Sequence, residues 1–171
     1  MESPAPQNDG YERALQPVVA TSRGIRVVVG SADYYYMDNA YNTSRNEHGM
    51  VWCGPTDERK VFSYRPYEIT YVPNADEIEK NGPDFVYEAE FGSPENIVGV
   101  VSCLWGDIIF NSEMAMERFL PKGIGAFERC WNASPEGDKA CFDKFYSIVV
   151  EKMVPFLDFL GLKYRKPMDA E

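Results

Sequence analysis

The stretch IRVVVGSADYYYMD, residues 25–38, sets the class of fold that the sequence predicts. Its two halves are rich in β-branched and aromatic residues, which favour strands, and the three residues between them, Gly30 to Ala32, are typical of a short turn. Two strands joined by a short turn form a hairpin, whose strands are antiparallel. The stretch therefore predicts the beginning of an antiparallel sheet.

Further along the chain, five segments have the composition of short strands bounded by Pro or Gly. They are MVWCG (50–54), RKVFSYR (59–65), YEITYV (67–72), DFVYEAEFG (84–92) and NIVGVVSCLWGDIIF (96–110), the last of which supplies one or two strands divided near Gly106. In the second, third and fourth of them, apolar and polar residues alternate, as expected of strands that turn one face to water. The sheet is thus predicted to contain many short strands.

Helices are predicted at three places. Residues 74–82 carry acids in the first turn and end at Gly82, and a second helix begins near Ser112 and ends at Pro121. The third and longest runs from about residue 138 to residue 160, where apolar residues recur at helical spacing. Pro155 should interrupt this helix, and Gly161 suits its C-terminal cap.

The order of these elements indicates an α+β fold with a mainly antiparallel sheet and two or three helices, the longest near the C-terminus. A chain of 171 residues has the length of one ordinary domain. We place a single globular domain at residues 23–171. Residues 1–22, which contain several prolines, are predicted to be a loosely ordered lead-in.

Composition narrows the class of protein. The N-terminus lacks the basic start and apolar run of a secretion signal, so we expect a cytoplasmic protein. The four cysteines form no C-x-x-C pair, and no P-loop or G-x-G-x-x-G is present, so neither a metal nor a nucleotide cofactor is expected. A net charge of −10 disfavours nucleic acid and anionic membranes as partners.

The negative charge is concentrated in one third of the chain. Between Pro66 and Glu117 there are eleven acids and one base, Lys80, so this segment carries 1 − 11 = −10. The rest of the chain balances, with 27 − 11 = 16 acids and 17 − 1 = 16 bases. Such a concentration predicts an acidic surface that attracts a basic partner.

Ser112 stands where an apolar segment meets a predicted helix, so it could be a nucleophile or a helix cap. A nucleophile elbow needs glycines two positions before and after the serine, and here those positions hold Phe110 and Met114. A serine at a helix start accepts free amide hydrogens of the first turn. We therefore interpret Ser112 as a cap, with Asn111 as the competing cap residue.

Other candidate catalytic groups are few. His48 is the single histidine, and Cys53 lies five residues beyond it, so a Cys53/His48 pair is the sharpest enzymatic hypothesis. Glu88 and Glu90 share a strand face about 7 Å apart, a spacing used by glycosidase carboxylates. Without an identifiable Trp-rich cleft beside them, the two acids are interpreted as a solvated strand face. Consecutive acids from Asp76 are interpreted as a helix N-terminus rather than a metal site.

The order GDIIFNSEMAMERFLPKGIGAFERCW (106–131), followed by KFYSIVVEKMVPFLD (144–158) and preceded by the Tyr-rich DYYYMD, resembles the immunity proteins of bacterial polymorphic-toxin systems. The resemblance implies a cytoplasmic protein that binds and neutralises a cognate toxin and needs no cofactor.

The leading prediction is therefore a non-enzymatic inhibitor that presents an acidic surface with aromatic anchors to a basic protein. Alternatives are a small hydrolase that uses Cys53 and His48, a phage-borne inhibitor of a host defence protein, and a structural protein. The predicted partner-binding residues are Asp76, Glu77, Glu79, Asp84, Glu88, Glu90 and Glu95 for charge and Tyr34, Tyr35 and Tyr41 as anchors.

Overall fold

A computed structural model describes residues 17, 20–65, 69–71, 87–89, 93–132 and 139–167 of the chain. The chain divides into two compact units. The first comprises Met1–Val29 and Pro66–Gly99, and the second comprises Gly30–Arg65 and Val100–Glu171. Of the described helices, none combines the length and the apolar character that crossing a bilayer requires.

The strands among the described residues form two small sheets. Strands β1 (Val27–Val29) and β4 (Ile97–Val100) are parallel neighbours in one of them. Strands β2 (Ile69–Tyr71) and β3 (Tyr87–Ala89) form the other, an antiparallel pair in register at Ile69 and Ala89. A single 3₁₀ turn, Pro94–Asn96, leads into β4.

The predicted hairpin at residues 25–38 is wrong. β1 is present, but Ala32–Tyr35 form a short helix, α1, because the carbonyl of Ser31 accepts the backbone N–H groups of Tyr34 and Tyr35. The chain then pairs Tyr36 with Cys103 through a parallel bridge. The prediction of an α+β fold with a mainly antiparallel sheet is therefore wrong, because β1 and its continuation pair with a segment far along the chain.

Helices dominate the second unit. Those after α1 are α2 (Glu58–Ser63), α3 (Ser112–Phe119), α4 (Lys122–Trp131), α5 (Lys139–Ile148) and α6 (Val154–Phe159), with a π-helical turn at Val149–Met153.

The C-terminal helix is confirmed as the run from α5 through the π-helical turn to α6. The turn lies immediately before Pro155, which has no N–H to continue the α-helical hydrogen bonds. Gly161 follows α6 with a φ of 66°, the left-handed conformation of a glycine cap. The predicted helix at residues 74–82 lies outside the described residues.

Two helices were mispredicted. Residues 59–65 were expected to be a strand, but most of them form α2, whose first turn is capped by the Asp57 carboxylate accepting the Lys60 N–H at 2.8 Å. α4 was not predicted at all. α2 and α4 pack together, and the Arg129 guanidinium of α4 lies 3.9 Å from the ring centre of Phe62. Phe62 also stacks on Phe145 of α5, with ring centres 4.6 Å apart.

Ser112 is the first residue of α3 and not its cap. The side-chain oxygen of Asn111 accepts the N–H of Met114 at 2.9 Å, so the competing residue supplies the cap. Both residues are exposed. Ser112 is therefore an ordinary surface residue of the first helical turn.

Two ion pairs made by the buried carboxylate of Glu47 join three distant parts of the second unit. The two carboxylate oxygens of Glu47 each accept a guanidinium N–H at 2.5 Å, one from Arg118 in α3 and one from Arg165 near the C-terminus. The Glu47 side chain is only 5% exposed. Burial alone would raise the pKa of Glu47, but the hydrogen bonds and charges of the two arginines outweigh it and lower this pKa.

We predict that Glu47→Ala lowers the free energy of unfolding by about 3 kcal/mol, because it leaves two arginines without their buried partner. The matched control is Asp143→Ala, whose partner Arg59 is 3.8 Å away and whose own side chain is 53% exposed. Removing that exposed pair should cost less than about 1 kcal/mol. Urea unfolding at pH 7 compares the variants, and equal losses would contradict the prediction.

The ion pairs of Glu47 also predict that the stability of the protein depends on pH. Because the folded protein lowers the pKa of Glu47, its stabilising contribution is present above the ordinary glutamate pKa and is lost as pH falls through the folded value. The stability difference between the wild type and Glu47→Ala should therefore shrink in acid. A difference that stays constant in an unfolding series from neutral pH to acid would count against this assignment.

A glycine allows two segments to approach closely. Gly49 has a φ of 149°, and a Cβ added there would overlap the backbone N and Cα of Ala40. We predict that Gly49→Ala costs at least about 2 kcal/mol of unfolding free energy. Gly106→Ala is the control, because a Cβ at Gly106 would meet nothing within 4 Å. Chemical unfolding should leave the control within about 0.5 kcal/mol of the wild type, and a comparable loss in both variants would refute the prediction.

Candidate functional site

Three segments of the second unit lie side by side. The central one, residues 36–40, forms a parallel bridge from Tyr36 to Cys103 on one side and a parallel bridge from Asn39 to Met50 on the other. The N–H of Met37 donates to the carbonyl of Cys103 at 2.7 Å. The residues that follow these bridges in the two outer segments are therefore held next to the central segment.

Three aromatic side chains, Tyr36, Trp52 and Trp105, meet where these segments come together, and we call them the aromatic cluster. The Tyr36 ring makes a T-shaped contact with each indole, with centre-to-centre distances of 6.0 Å to Trp52 and 5.7 Å to Trp105. Trp52 is 62% exposed and Trp105 is 48% exposed. Both indoles contact Tyr36 and remain exposed to solvent. Exposed aromatic side chains that lie together are typical of ligand sites.

A carboxylate lies beside the aromatic cluster. Asp38 is 2% exposed, and one of its oxygens accepts the backbone N–H of Trp105 at 3.4 Å. A carboxylate has about four acceptor positions, and this bond uses one of them. Asp107, two residues beyond Trp105, is exposed. Aromatic faces together with carboxylates can bind a ligand that has both C–H faces and hydroxyl groups.

The side chain of Asn39 links the central segment to the segment that carries Trp52. Its side-chain N–H₂ donates to the carbonyl of Ala32 at 3.0 Å, to the sulfur of Cys53 at 3.0 Å and to the hydroxyl of Thr56 at 3.3 Å. Asn39 and Thr56 are both 0% exposed. The segment that carries Trp52 is thus bonded to the segment that carries Tyr36 and Asp38.

A buried lysine approaches the same place from α4. The Lys122 ammonium donates to the carbonyl of Asn39 at 2.7 Å and to that of Thr56 at 3.3 Å, and it lies 4.2 Å from the ring centre of Tyr41. Lys122 is 0% exposed. The structure therefore places a buried amine against the backbone of two segments that carry the site, in a position that the sequence did not single out.

Burial lowers the pKa of Lys122 to about 7, because the charged amine loses its hydration. The positive charge of Arg118 lowers this pKa further, whereas the charges of Glu58, Asp38 and Glu47 oppose the shift. Burial also raises the pKa of Glu58, which lies in α2 and is 2% exposed. The amine of Lys122 therefore titrates near neutral pH.

The Cys53/His48 hypothesis is wrong. The Cys53 sulfur accepts a hydrogen bond from the Asn39 side chain, and the thiol donates one to the carbonyl of Ala32 at 3.6 Å. His48 is exposed. Burial, which dominates over the other influences, raises the pKa of the Cys53 thiol. A thiol with a raised pKa keeps its proton near neutral pH and is a poor nucleophile.

The predicted partner-binding tyrosines are largely internal. Tyr35 is 0% exposed and Tyr41 is 4% exposed, so neither offers a contact surface, because each is packed in the core. The hydroxyl of Tyr41 donates to the carbonyl of Leu120 at 3.1 Å. Tyr34 is partly buried against Tyr64.

The predicted acidic surface falls mostly outside the described residues. Glu95 is exposed in the 3₁₀ turn, and Glu88 is the middle residue of β3. The acids outside the described residues are Asp76, Glu77, Glu79, Asp84 and Glu90. Their predicted role in partner binding stays a prediction. Among the residues that the structure describes, no three His, Cys, Asp or Glu side chains lie close enough to hold a metal ion.

Sequence reasoning did not single out Tyr36, Asp38, Trp52 or Trp105 as one site. A signal was present, because the aromatic-x-Asp pattern occurs twice, at Tyr36-Met37-Asp38 and at Trp105-Gly106-Asp107. Each copy comes shortly after a β-branched run that forms a strand. Two equivalent patterns after two strands that prove to be parallel neighbours would have indicated a shared site.

Comparison with known proteins identifies the family. Residues 10–134 match the model of the glycosyl hydrolase family 20 catalytic domain. The chain is 25% identical over 170 residues to an N,N'-diacetylchitobiase of Vibrio harveyi, and the match covers 86% of this chain and 19% of that protein. It is 24% identical to a β-hexosaminidase of Vibrio vulnificus, covering 86% of this chain and 20% of that protein.

Solved structures agree with these matches. One is the family 20 exo-β-N-acetylglucosaminidase of Vibrio harveyi in complex with N-acetylglucosamine, with a TM-score of 0.66 and 26% identity over 91% of this chain and 21% of that chain. Another is the family 20 β-N-acetylhexosaminidase of Streptomyces coelicolor, with a TM-score of 0.70 and 18% identity over 96% of this chain and 28% of that chain. Their catalytic domain is a TIM barrel, a fold of parallel strands.

These matches overturn the predicted resemblance to immunity proteins, the predicted non-enzymatic inhibitor, and its phage-borne alternative. They also count against the predicted mainly antiparallel fold class, because the catalytic domain of these neighbours is a TIM barrel. The chain spans about a fifth of the length of the curated relatives that it matches. Since the family model covers residues 10–134 of 171, the chain belongs to glycosyl hydrolase family 20.

Proposed function

We propose that this chain is a glycoside hydrolase component that binds a terminal β-linked N-acetylhexosamine through the aromatic cluster and Asp38. The observation that carries the proposal is the contact of Tyr36 with two exposed indoles beside a buried carboxylate. The names of the relatives, a diacetylchitobiase and a β-hexosaminidase, support this class of substrate.

The chemistry of the residues suits a sugar. A pyranose ring has C–H faces that pack on aromatic rings, and Trp52 and Trp105 expose such rings to solvent. Its hydroxyl groups can donate to a carboxylate, and such charge-assisted hydrogen bonds are stronger than neutral ones. Asp38 already accepts the backbone N–H of Trp105, which keeps its carboxylate next to the residue that carries that indole.

The position of the site in the chain supports the proposal too. In TIM-barrel enzymes the active site is built from the segments that follow the C-terminal ends of the strands. Tyr36 and Asp38 come after β1, and Trp105 comes after the parallel strand β4. Tyr36 and Trp105 of the aromatic cluster are therefore carried by segments of the kind that form barrel active sites.

The hydrolysis itself places a special demand on substrate binding. Family 20 enzymes use substrate-assisted hydrolysis, in which a group of the sugar takes the place of the second enzyme carboxylate. Reaction then depends on holding the sugar in one orientation, because the attacking group must reach its own anomeric carbon. We assign that holding role to Tyr36, Asp38, Trp52 and Trp105.

We predict that the wild-type chain binds N-acetylglucosamine, as measured by isothermal titration calorimetry. Trp105→Ala should weaken binding roughly tenfold or more, because it removes a stacking face. Asp38→Asn should weaken binding by a similar factor, because a hydrogen bond to a charged acceptor becomes a neutral one. The matching activity assay is release of 4-nitrophenol from its N-acetyl-β-glucosaminide.

The matched control is Trp131→Ala. Trp131 is 90% exposed at the end of α4 and has no aromatic contact with the cluster among the described residues. Its loss should leave affinity for N-acetylglucosamine unchanged. Absence of binding by the wild type, or equal weakening in Trp105→Ala and Trp131→Ala, would contradict the proposed site.

A further inference from the structure

We propose that Lys122 is a positioning residue of this site: its buried side chain fixes the segment that carries Trp52 against the segment that carries Tyr36 and Asp38. The inference rests on the proposed function for the ligand, but the arrangement of the segments can be tested without a ligand. Lys122 lies in α4, outside the three segments that form the site.

The geometry that carries the inference is the convergence of two backbone carbonyls on one amine. Asn39 O and Thr56 O belong to different segments, and the Lys122 ammonium donates to both, at 2.7 Å and 3.3 Å. Asn39 directly follows Asp38, and Thr56 lies four residues beyond Trp52. The Lys122 amine thus bonds to the backbone of two of the three segments, one residue after Asp38 and four residues after Trp52.

Loss of this amine should shift the segment of Thr56 relative to the segment of Asn39. Buried carbonyls that lose a donor must find water or move, since an unsatisfied buried acceptor costs about 1–3 kcal/mol. Movement of Thr56 changes the distance between Trp52 and Tyr36, whose rings are now 6.0 Å apart. The bonds from Asn39 to Cys53 and Thr56 limit this movement, so we expect a shift of the site and not its collapse.

The surroundings of the amine make its charge sensitive to pH. Arg118 of α3 and Glu58 of α2 act on it, together with Asp38 and Glu47 from the loops, and its pKa lies at about 7. The ring of Tyr41 lies against it. When the amine loses its proton, two N–H donors remain, but their hydrogen bonds lose charge assistance and weaken. The fixation should therefore weaken as pH rises through 7.

The experiment compares the wild-type chain with Lys122→Met by two readouts. The first is the indole N–H signals in ¹H–¹⁵N NMR spectra of the ligand-free chain, where the three tryptophans give three resolved probes. We expect the signals of Trp52 and Trp105 to move in Lys122→Met. The exposed Trp131 should stay unchanged as the internal reference.

The second readout is affinity for N-acetylglucosamine. Lys122→Met should bind roughly 3- to 10-fold more weakly, because the two indoles must be ordered on binding. Wild-type affinity should fall between pH 6 and pH 9, whereas that of the variant should stay flat. The sugar has no group that ionises in this range, so the difference between the two pH profiles belongs to Lys122.

Lys60→Met is the matched control. Lys60 also donates to a backbone carbonyl, that of Pro55 at 3.1 Å, but this bond stays within one segment and faces solvent. The control should leave the indole signals of Trp52 and Trp105 and the pH profile as in the wild type. Identical changes in both lysine variants would overturn the inference.

The outcomes separate this inference from the proposed function. If the wild type does not bind N-acetylglucosamine, the proposed function fails, and the ligand-free indole signals still decide the positioning role. A folded Lys122→Met chain with wild-type signals for Trp52 and Trp105 would overturn the inference. If Lys122→Met does not fold, the wild-type signals from pH 6 to pH 9 decide: movement with a midpoint about 7 supports the inference, and constancy overturns it.

Discussion

The site depends on a buried cation that two backbone carbonyls share. Lys122 is 0% exposed, and its amine bonds to Asn39 and Thr56. Desolvating an ammonium is costly, and the structure offsets the cost with two hydrogen bonds, the ring of Tyr41 and neighbouring carboxylates. A second buried charge, Glu47, joins the same region to Arg165 near the C-terminus. Residues of α3 and α4 therefore hold the loops of the site in place.

Local signals in the sequence were sufficient for some elements. The long C-terminal helix and its Gly161 cap were predicted correctly, because a sustained helical period and a glycine stop are encoded within the helix itself. α2 was predicted as a strand because its residues alternate, and a strand would place Val61 and Phe62 on opposite faces. Both side chains are buried, since a helix capped by Asp57 can turn both towards the core. Tertiary packing, which no short window reveals, decides that segment.

The site could not be predicted from short stretches of sequence, because it too depends on tertiary packing. Tyr36 and Trp105 come together because residues far apart in the chain pair in parallel, whereas the hairpin prediction paired the Tyr-rich segment with its neighbour in sequence. Lys122 could not be recognised either, because a lysine after a proline gives no sign of complete burial. The repeated aromatic-x-Asp pattern was readable, but its meaning required knowing that β1 and β4 are adjacent. Membership in glycosyl hydrolase family 20 supports the proposal that this arrangement binds a sugar.

The central claim is that these buried bonds arrange Tyr36, Asp38, Trp52 and Trp105 around one saccharide. The most direct measurement is a crystal structure of the wild-type chain grown with N-acetylglucosamine. The account predicts a sugar that packs on an indole of the aromatic cluster and donates a hydroxyl hydrogen bond to Asp38, with the Lys122 amine on the carbonyls of Asn39 and Thr56. A sugar bound elsewhere, or a Lys122 amine that faces solvent, would contradict it.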